Sequence, residues 1–346
     1  MNKLKDYEAM KGITIFLVIF AHVTRMYTPK GVIKIVSSSA SLESITEFIY
    51  MFHMPAFVMV SGAVYYFVKR ERGKYSNQRG YIHNKVIRLL VPFFFFSLLY
   101  VLPALLYTRV ENNVLSYVVK DVLLMAPQTH LWYSVMIFNV MVVFHFLENR
   151  IFQAKKGIVW SIFIALNLFS YLIPNAFQVM NTLTYLLYFY VGYWFRQNKE
   201  RVLPVIKNKW ALMIFIPVSC YYLLFHTVVQ DALLLRKAIQ IVAAISGSGL
   251  LYLVSHAVSE TTLADKEWFE NLANDSYGIY LFHPMIIYVL FFWVSNVEHN
   301  PYVGTSVIFI IATVLSILLV KIFRIVGINT LIGEKRTSRE AATSKS

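Results

Sequence analysis

Window after window of about 18–20 residues in this chain holds few charged side chains or none, and that pattern leaves few architectures open. Segments of this length and polarity read as helices that cross a lipid bilayer. Ten are predicted, at about 11–28, 46–68, 86–108, 131–147, 157–173, 182–195, 210–226, 238–256, 277–295 and 304–326. The fifth and sixth are short and rich in aromatics. Composition agrees: 14% of the 346 residues are charged, where a soluble domain carries about a quarter. The expected fold class is an all-α integral membrane protein with about ten transmembrane helices.

The chain is basic, with a formal net charge of +14. In a membrane protein the placement of the cations matters more than their sum. With the N-terminus inside, the inner segments are 1–10, 69–85, 148–156, 196–209, 257–276 and the end from 327. They and the adjoining span ends hold most of the 32 Lys and Arg. Arg25, Lys30, Lys34, Arg109, Lys120, Arg236 and Lys237 fall on the outer side. This asymmetry follows the positive-inside rule and predicts N-in/C-in topology with an even number of spans. It also explains the basic pI with no nucleic acid as partner. The first apolar segment has the basic start of a signal peptide. No small-x-small cleavage site follows it, so it reads as a retained span. The single cysteine, Cys220, excludes an intramolecular disulfide. No loop is long enough for a second soluble domain. Residues 1–330 are expected to form one polytopic membrane domain, followed by a polar cytosolic tail, 331–346.

Ionisable groups within a bilayer are costly, so their positions point to function. "MKGITIFLVIFAH", residues 10–22, is apolar apart from Lys11 and His22. Eleven helical steps return to within about 20° of the start, so the two share a face about 16 Å apart. His22 then lies about halfway through a core roughly 30 Å thick. A buried neutral imidazole there is a proton acceptor; the plainer reading is a hydrogen-bonded packing residue. His53 lies in "FIYMFHMPAFVMVSGAVYYF", where Pro55 frees a backbone carbonyl. Ser61 and Gly62 in the same segment permit close approach by a neighbouring helix or a ligand.

The inner loop "KRERGKYSNQRGYIHNKVIRLLVPFFFF" places Lys85 and Arg88 at i and i+3, at the inner mouth of the third span. Two such cations can hold a phosphate-bearing donor; the rest of the loop's charge is topogenic. In "NDSYGIYLFHP", Asn274, Asp275 and Ser276 are candidate helix caps. Ser276, Tyr280 and His283 follow at i, i+4 and i+7, one polar stripe that should face protein or water. His145, His226 and His256 fall near span ends and read as interfacial. There is no HxxxH or HExxH spacing, so no metal is expected, and there is no GxSxG nucleophile elbow.

Taken in order, these segments resemble the membrane acyltransferase-3 proteins, transmembrane O-acyltransferases of bacterial surface glycans. "KGITIFLVIFAH" resembles the family's first-span pattern of a basic residue, ten positions and a histidine. "FIYMFHMPAFVMVSG" resembles its "FHMP…SG" signature, "KVIRLLVP" its RxxR-L-x-x-P segment, and "SYGIYLFHP" its late S-x-x-x-Y-x-x-H element. "HLWYS" at 130–134 is a weaker match. Lys11 and Lys85 stand where the family pattern has arginine; both keep the charge and lose the planar bidentate fork. Many relatives also carry an SGNH esterase-like domain, and this chain looks like a stand-alone member.

The resemblance implies that His22 is the catalytic histidine, a general base toward an acceptor hydroxyl. It implies that Lys11, Lys85 and Arg88 face acyl-CoA from the cytosol, and that His53, Ser61, Gly62, Tyr280 and His283 line or support the reaction cavity. The expected activity is transfer of an acyl group, acetyl above all, from acyl-CoA as co-substrate to a hydroxyl of a surface glycan or lipid-linked saccharide. The expected setting is the bacterial plasma membrane, with no bound cofactor. One rival is a glycan or small-molecule exporter using the same polar cavity without chemistry, against which the lack of an internal repeat counts. Another is a membrane module that recognises a ligand and catalyses nothing.

Overall fold

The structure, a computed structural model, describes residues 4–127, 129–226 and 232–334. Among these residues there is no strand. In chain order the helices are α1 Lys5–Arg25, α2 Ala40–Glu71, α3 Gln78–Tyr107, α4 Trp132–Gln153, α5 Lys156–Phe169, α6 Val179–Gln197, α7 Lys199–Asn208, α8 Trp210–His226, α9 Leu233–Ser259, α10 Glu267–Val294 and α11 Pro301–Ile325. Each of the ten predicted segments falls on one of them.

Fewer than ten have the length and polarity of a full crossing. Among the described residues α1, α2, α3, α4, α9, α10 and α11 do, which makes seven; α7 and α8, bent by 77° at their junction, make an eighth if taken as one broken span. By length and composition alone, seven or eight of the ten expected crossings are met among the described residues. At 1.5 Å per residue the 14 residues of α5 reach about 21 Å, and the 3-10 turn Ser170–Leu172 that continues it brings the apolar helix Lys156–Leu172 to about 27 Å, close to a core of about 30 Å. The 19 residues of α6 are long enough, but Asn181, Thr182, Thr184, Arg196 and Gln197 dilute its apolar character.

Proline shapes two of the long helices. In α3, Pro92 and Pro103 cannot donate to the carbonyls four residues back. The turns just before them, Val86–Leu90 and Ser97–Val101, are wider π turns that absorb the missing bonds. In α2 the α-helix stops at Tyr50 and restarts at His53, just ahead of Pro55.

α1 is packed by α2, α9, α10 and α11. Its buried positions run round most of its circumference, from Ala9 and Gly12 through Ile15, Val18, Ile19 and Ala21 to Val23. Such a helix sits inside the bundle and not at its rim. α6 lies against α2 so closely that the backbones touch. A Cβ on Gly62 would fall on the Phe189 carbonyl oxygen, and one on Gly192 on the Met59 carbonyl oxygen. Gly62 is thus a helix-crossing residue, of the kind small residues make in membranes.

Two expectations need correction. Residues 274–276 do not cap a helix, because α10 begins seven residues earlier at Glu267. Asp275 instead accepts from Arg324 at 2.5 Å while buried, and Ser276 bonds the Ala273 carbonyl. The tail does not begin at 331. Ile332 is buried, and Arg324 also holds Glu334 at 2.5 Å. Residues 331–334 therefore belong to the folded unit; the rest of the predicted tail, from 335, lies outside the described residues.

Candidate active site

His22 and His283 meet across α1 and α10. Nδ1 of His22 lies 2.9 Å from Nε2 of His283. Nδ1 of His283 lies 2.9 Å from the Ile279 carbonyl oxygen, one turn back on its own helix. A carbonyl only accepts, so Nδ1 of His283 carries a proton and donates. With His283 neutral, its Nε2 is a bare acceptor. His22 must then donate from Nδ1, and its own Nε2 is left with a free lone pair. The chain of bonds fixes the tautomer of His22 as well as its ring orientation. His283 is fully buried, whereas His22 is only half-buried.

His53 is held in the same manner, its Nδ1 bonded at 2.9 Å to the Ile49 carbonyl. His53 lies two residues before Pro55 and His283 immediately before Pro284. Tyr50 links His53 to His22, with its ring centroid 4.7 Å from the first and 6.1 Å from the second. His130 completes the cluster, 6.2 Å from His283 between ring centroids. Its Nε2 donates to the Leu281 carbonyl at 3.2 Å, and its backbone carbonyl accepts from the Tyr280 hydroxyl. Its Nδ1 is buried with no hydrogen-bond partner among the described residues.

Toward the N-terminal end of α1 a cavity of about 330 Å³ opens between α1, α2, α3, α4 and α10. Lys11, Lys85, Arg88, Ser61, Ser276 and Tyr280 all line it, and no Asp or Glu does. Lys85 lies over the Tyr81 ring at 5.3 Å, and the Nε of Arg88 donates to the Gly333 carbonyl at 3.1 Å. Tyr75 stands in the same lining. Burial pushes its phenol up while nearby Arg88 pulls it down. The sign of the lining is thus set by three cations, which suits an anionic ligand. The far wall is formed by Tyr133 and Tyr280, whose rings are 5.4 Å apart. Tyr280 in turn lies 6.3 Å from His283. Tyr280 thus stands both in the lining of the cationic cavity and beside the histidine pair.

The structure thus gathers Lys11, Lys85, Arg88, Ser61 and Tyr280 around one cavity, and His22, His53 and His283 in an adjoining cluster. Gly62 belongs to neither. His130 and Tyr50 have no role in the sequence reading, although "HLWYS" marks the first and the spacing from His53 the second. A larger cleft of about 1560 Å³ opens near the start of α1. Three of its cations are paired, Lys5 with Asp265, Arg196 with Glu71 and Lys199 with Asp6, and Glu8, Glu200, Glu260 and Glu270 also line it, so it has no comparable preference for anions. Among the described residues no group of three or more His, Cys, Asp or Glu is placed to hold a metal ion.

Comparison with known proteins identifies a family. The family model for the acyltransferase domain of the acyltransferase-3 family matches residues 4–324. No curated protein and no solved structure matches the chain. The match runs from the start of α1 almost to the end of α11 and includes both the cavity and the histidine cluster. The chain is a multi-pass membrane protein that belongs to the acyltransferase-3 family, and its class of activity is acyl transfer.

Proposed function

We propose that the chain transfers an acyl group, acetyl in the simplest case, from acyl-CoA to a hydroxyl of a surface carbohydrate, with His22 as general base. The observation that carries this reading is the pairing of a cationic cavity with an oriented imidazole. Lys11, Lys85 and Arg88 gather positive charge with no carboxylate in the lining, which suits the phosphates of a CoA thioester. A volume of about 330 Å³ is at the lower end for small-ligand sites. It suits the narrow pantetheine arm, with the nucleotide outside against the lysines. The N-in topology read from the cation asymmetry puts this mouth on the cytosolic side, where acyl-CoA is made.

The chemistry follows from the tautomer. The acceptor oxygen attacks the thioester carbonyl carbon while its proton passes to Nε2 of His22. The C–O bond forms, the C–S bond breaks, and the proton goes on to the departing sulfur, which leaves as CoA thiol. General-base assistance of this kind contributes about 10²–10⁴-fold.

The test is turnover in proteoliposomes, following release of CoA thiol with acetyl-CoA supplied on the cavity side and saccharide acceptors supplied on the other. His22→Ala lowers turnover by about 10²–10⁴-fold, with acetyl-CoA binding retained. Full activity in a folded His22→Ala protein rules out the imidazole as base. Saccharide movement without thiol release favours an exporter.

A further inference from the structure

α1 carries a third polar residue on the face that bears Lys11 and His22. Arg25 follows His22 by three residues, within about 60° of both and about 4.5 Å further along the axis, away from Lys11. It is half-buried. Its Nε donates to the Lys30 carbonyl at 3.2 Å, which pins the guanidinium, and its central carbon lies 5.2 Å from the centroid of the Tyr50 ring. A guanidinium has five N–H donors, and this bond uses one. Neighbouring Lys30 pairs with Glu47 at 2.6 Å, but no carboxylate pairs with Arg25 among the described residues. The Tyr50 hydroxyl is buried beside the Arg25 guanidinium, which can donate to it, and its own proton has no acceptor among the described residues. The Tyr50 ring stands edge-on to His22.

Two polar groups within one helical turn of the imidazole are therefore incompletely satisfied, and both lie off the donor cavity, whose lining includes neither. A partly desolvated guanidinium without a counter-charge and a buried phenol without an acceptor are each costly. Both costs fall when an anion with several lone pairs docks between them. The planar fork of Arg25 matches a carboxylate or phosphate through two bonds, and the Tyr50 hydroxyl adds a third.

We propose that Arg25 and Tyr50 form an anion site on the acceptor side of His22, so that the favoured acceptor is a saccharide bearing a carboxylate or phosphate close to its reactive hydroxyl. This rests on the reading of His22 as the base. The imidazole is then flanked by two positive sites of separate purpose: three cations for the donor, and one arginine that selects and orients the acceptor.

The experiment uses the full chain in nanodiscs. Equilibrium binding of glucose, glucuronate and glucose 6-phosphate is measured for the native protein and for Arg25→Gln, Arg25→Lys and Tyr50→Phe. CoA is titrated separately. At least one anionic sugar binds the native protein about tenfold or more tightly than glucose, and which one does so identifies carboxylate or phosphate as the anion. Arg25→Gln removes that preference, Arg25→Lys keeps part of it, and Tyr50→Phe weakens it several-fold. Arg25→Lys retains the charge and guards against a merely unfolded Gln variant. CoA binding is unchanged throughout. Loss of CoA binding in the native protein would count against the acyl-CoA reading and leave the anion preference measurable. Equal binding of all three sugars by the native protein, or a preference that survives Arg25→Gln, overturns the proposal.

Discussion

Replacing His283 tests the bond chain that sets the tautomer of His22. In His283→Leu, Nδ1–H of His22 loses its acceptor at 2.9 Å. The bond itself is worth about 0.5–1.5 kcal/mol, and a buried donor left unsatisfied costs about 1–3 kcal/mol. The ring can relieve that cost by shifting its proton to Nε2, but this removes the lone pair the reaction needs. Either way the active tautomer is disfavoured by about 1–3 kcal/mol, a fall of about 5–150-fold in the acyl-transfer step. His283→Gln places an amide oxygen near the former Nε2 and restores an acceptor, so part of the loss returns. Single-turnover acyl transfer in proteoliposomes reads the effect directly, with donor and acceptor saturating so that binding does not contribute. The apparent donor KM is unchanged, because His283 is not part of the cavity lining. Full activity in His283→Leu, or a Gln variant no better than the Leu one, refutes the reasoning.

Two other substitutions separate the donor cavity from the scaffold. Lys11→Gln raises the acyl-CoA KM by about tenfold, roughly what one lost charge-assisted bond to a phosphate produces, and leaves the rate at saturation nearly intact. A change confined to that rate would take Lys11 out of donor binding. Arg88→Lys has a smaller effect on KM but also loosens the segment at Gly333 that its Nε now holds, visible as faster proteolysis there. Gly192→Ala drives a methyl group into the Met59 carbonyl and forces α2 and α6 apart. A cost of about 1–3 kcal/mol is expected, read as a lowered unfolding midpoint in detergent, and an unchanged midpoint would contradict the close crossing.

Hydropathy made the helices legible, because each long apolar window is a local property of the chain. Seven of the expected crossings meet the length and polarity of a span outright, while α5 is apolar but shorter, over Lys156–Leu172. Helical periodicity put Lys11 and His22 on one face and Ser276, Tyr280 and His283 on one stripe, and in the structure Lys11, Ser276 and Tyr280 share the cavity. Periodicity says nothing about which stripe faces which. The bond between His22 and His283 joins residues 261 positions apart and depends on the order in which helices pack. The same limit applies to Gly62, whose small size points equally to a ligand or a helix; only the packing of α6 on α2 sets the Phe189 carbonyl against it. Tyr50 and His130 could not be paired with His22 and His283 from the sequence, because those contacts join residues on different elements.

The bond chain behind His22 ends on a peptide oxygen, and that choice of terminus governs how long a proton can rest there. In a Ser-His-Asp triad the terminal carboxylate offsets the imidazolium as it forms. The Ile279 carbonyl supplies orientation and a partial dipole but no full negative charge. In the proposed reaction, a proton taken up by His22 has no carboxylate bonded to the ring, or to His283 behind it, to offset its charge among the described residues. The nearest base the proposed reaction creates is the thiolate itself, so bond making at oxygen and neutralisation at sulfur are tied together in time.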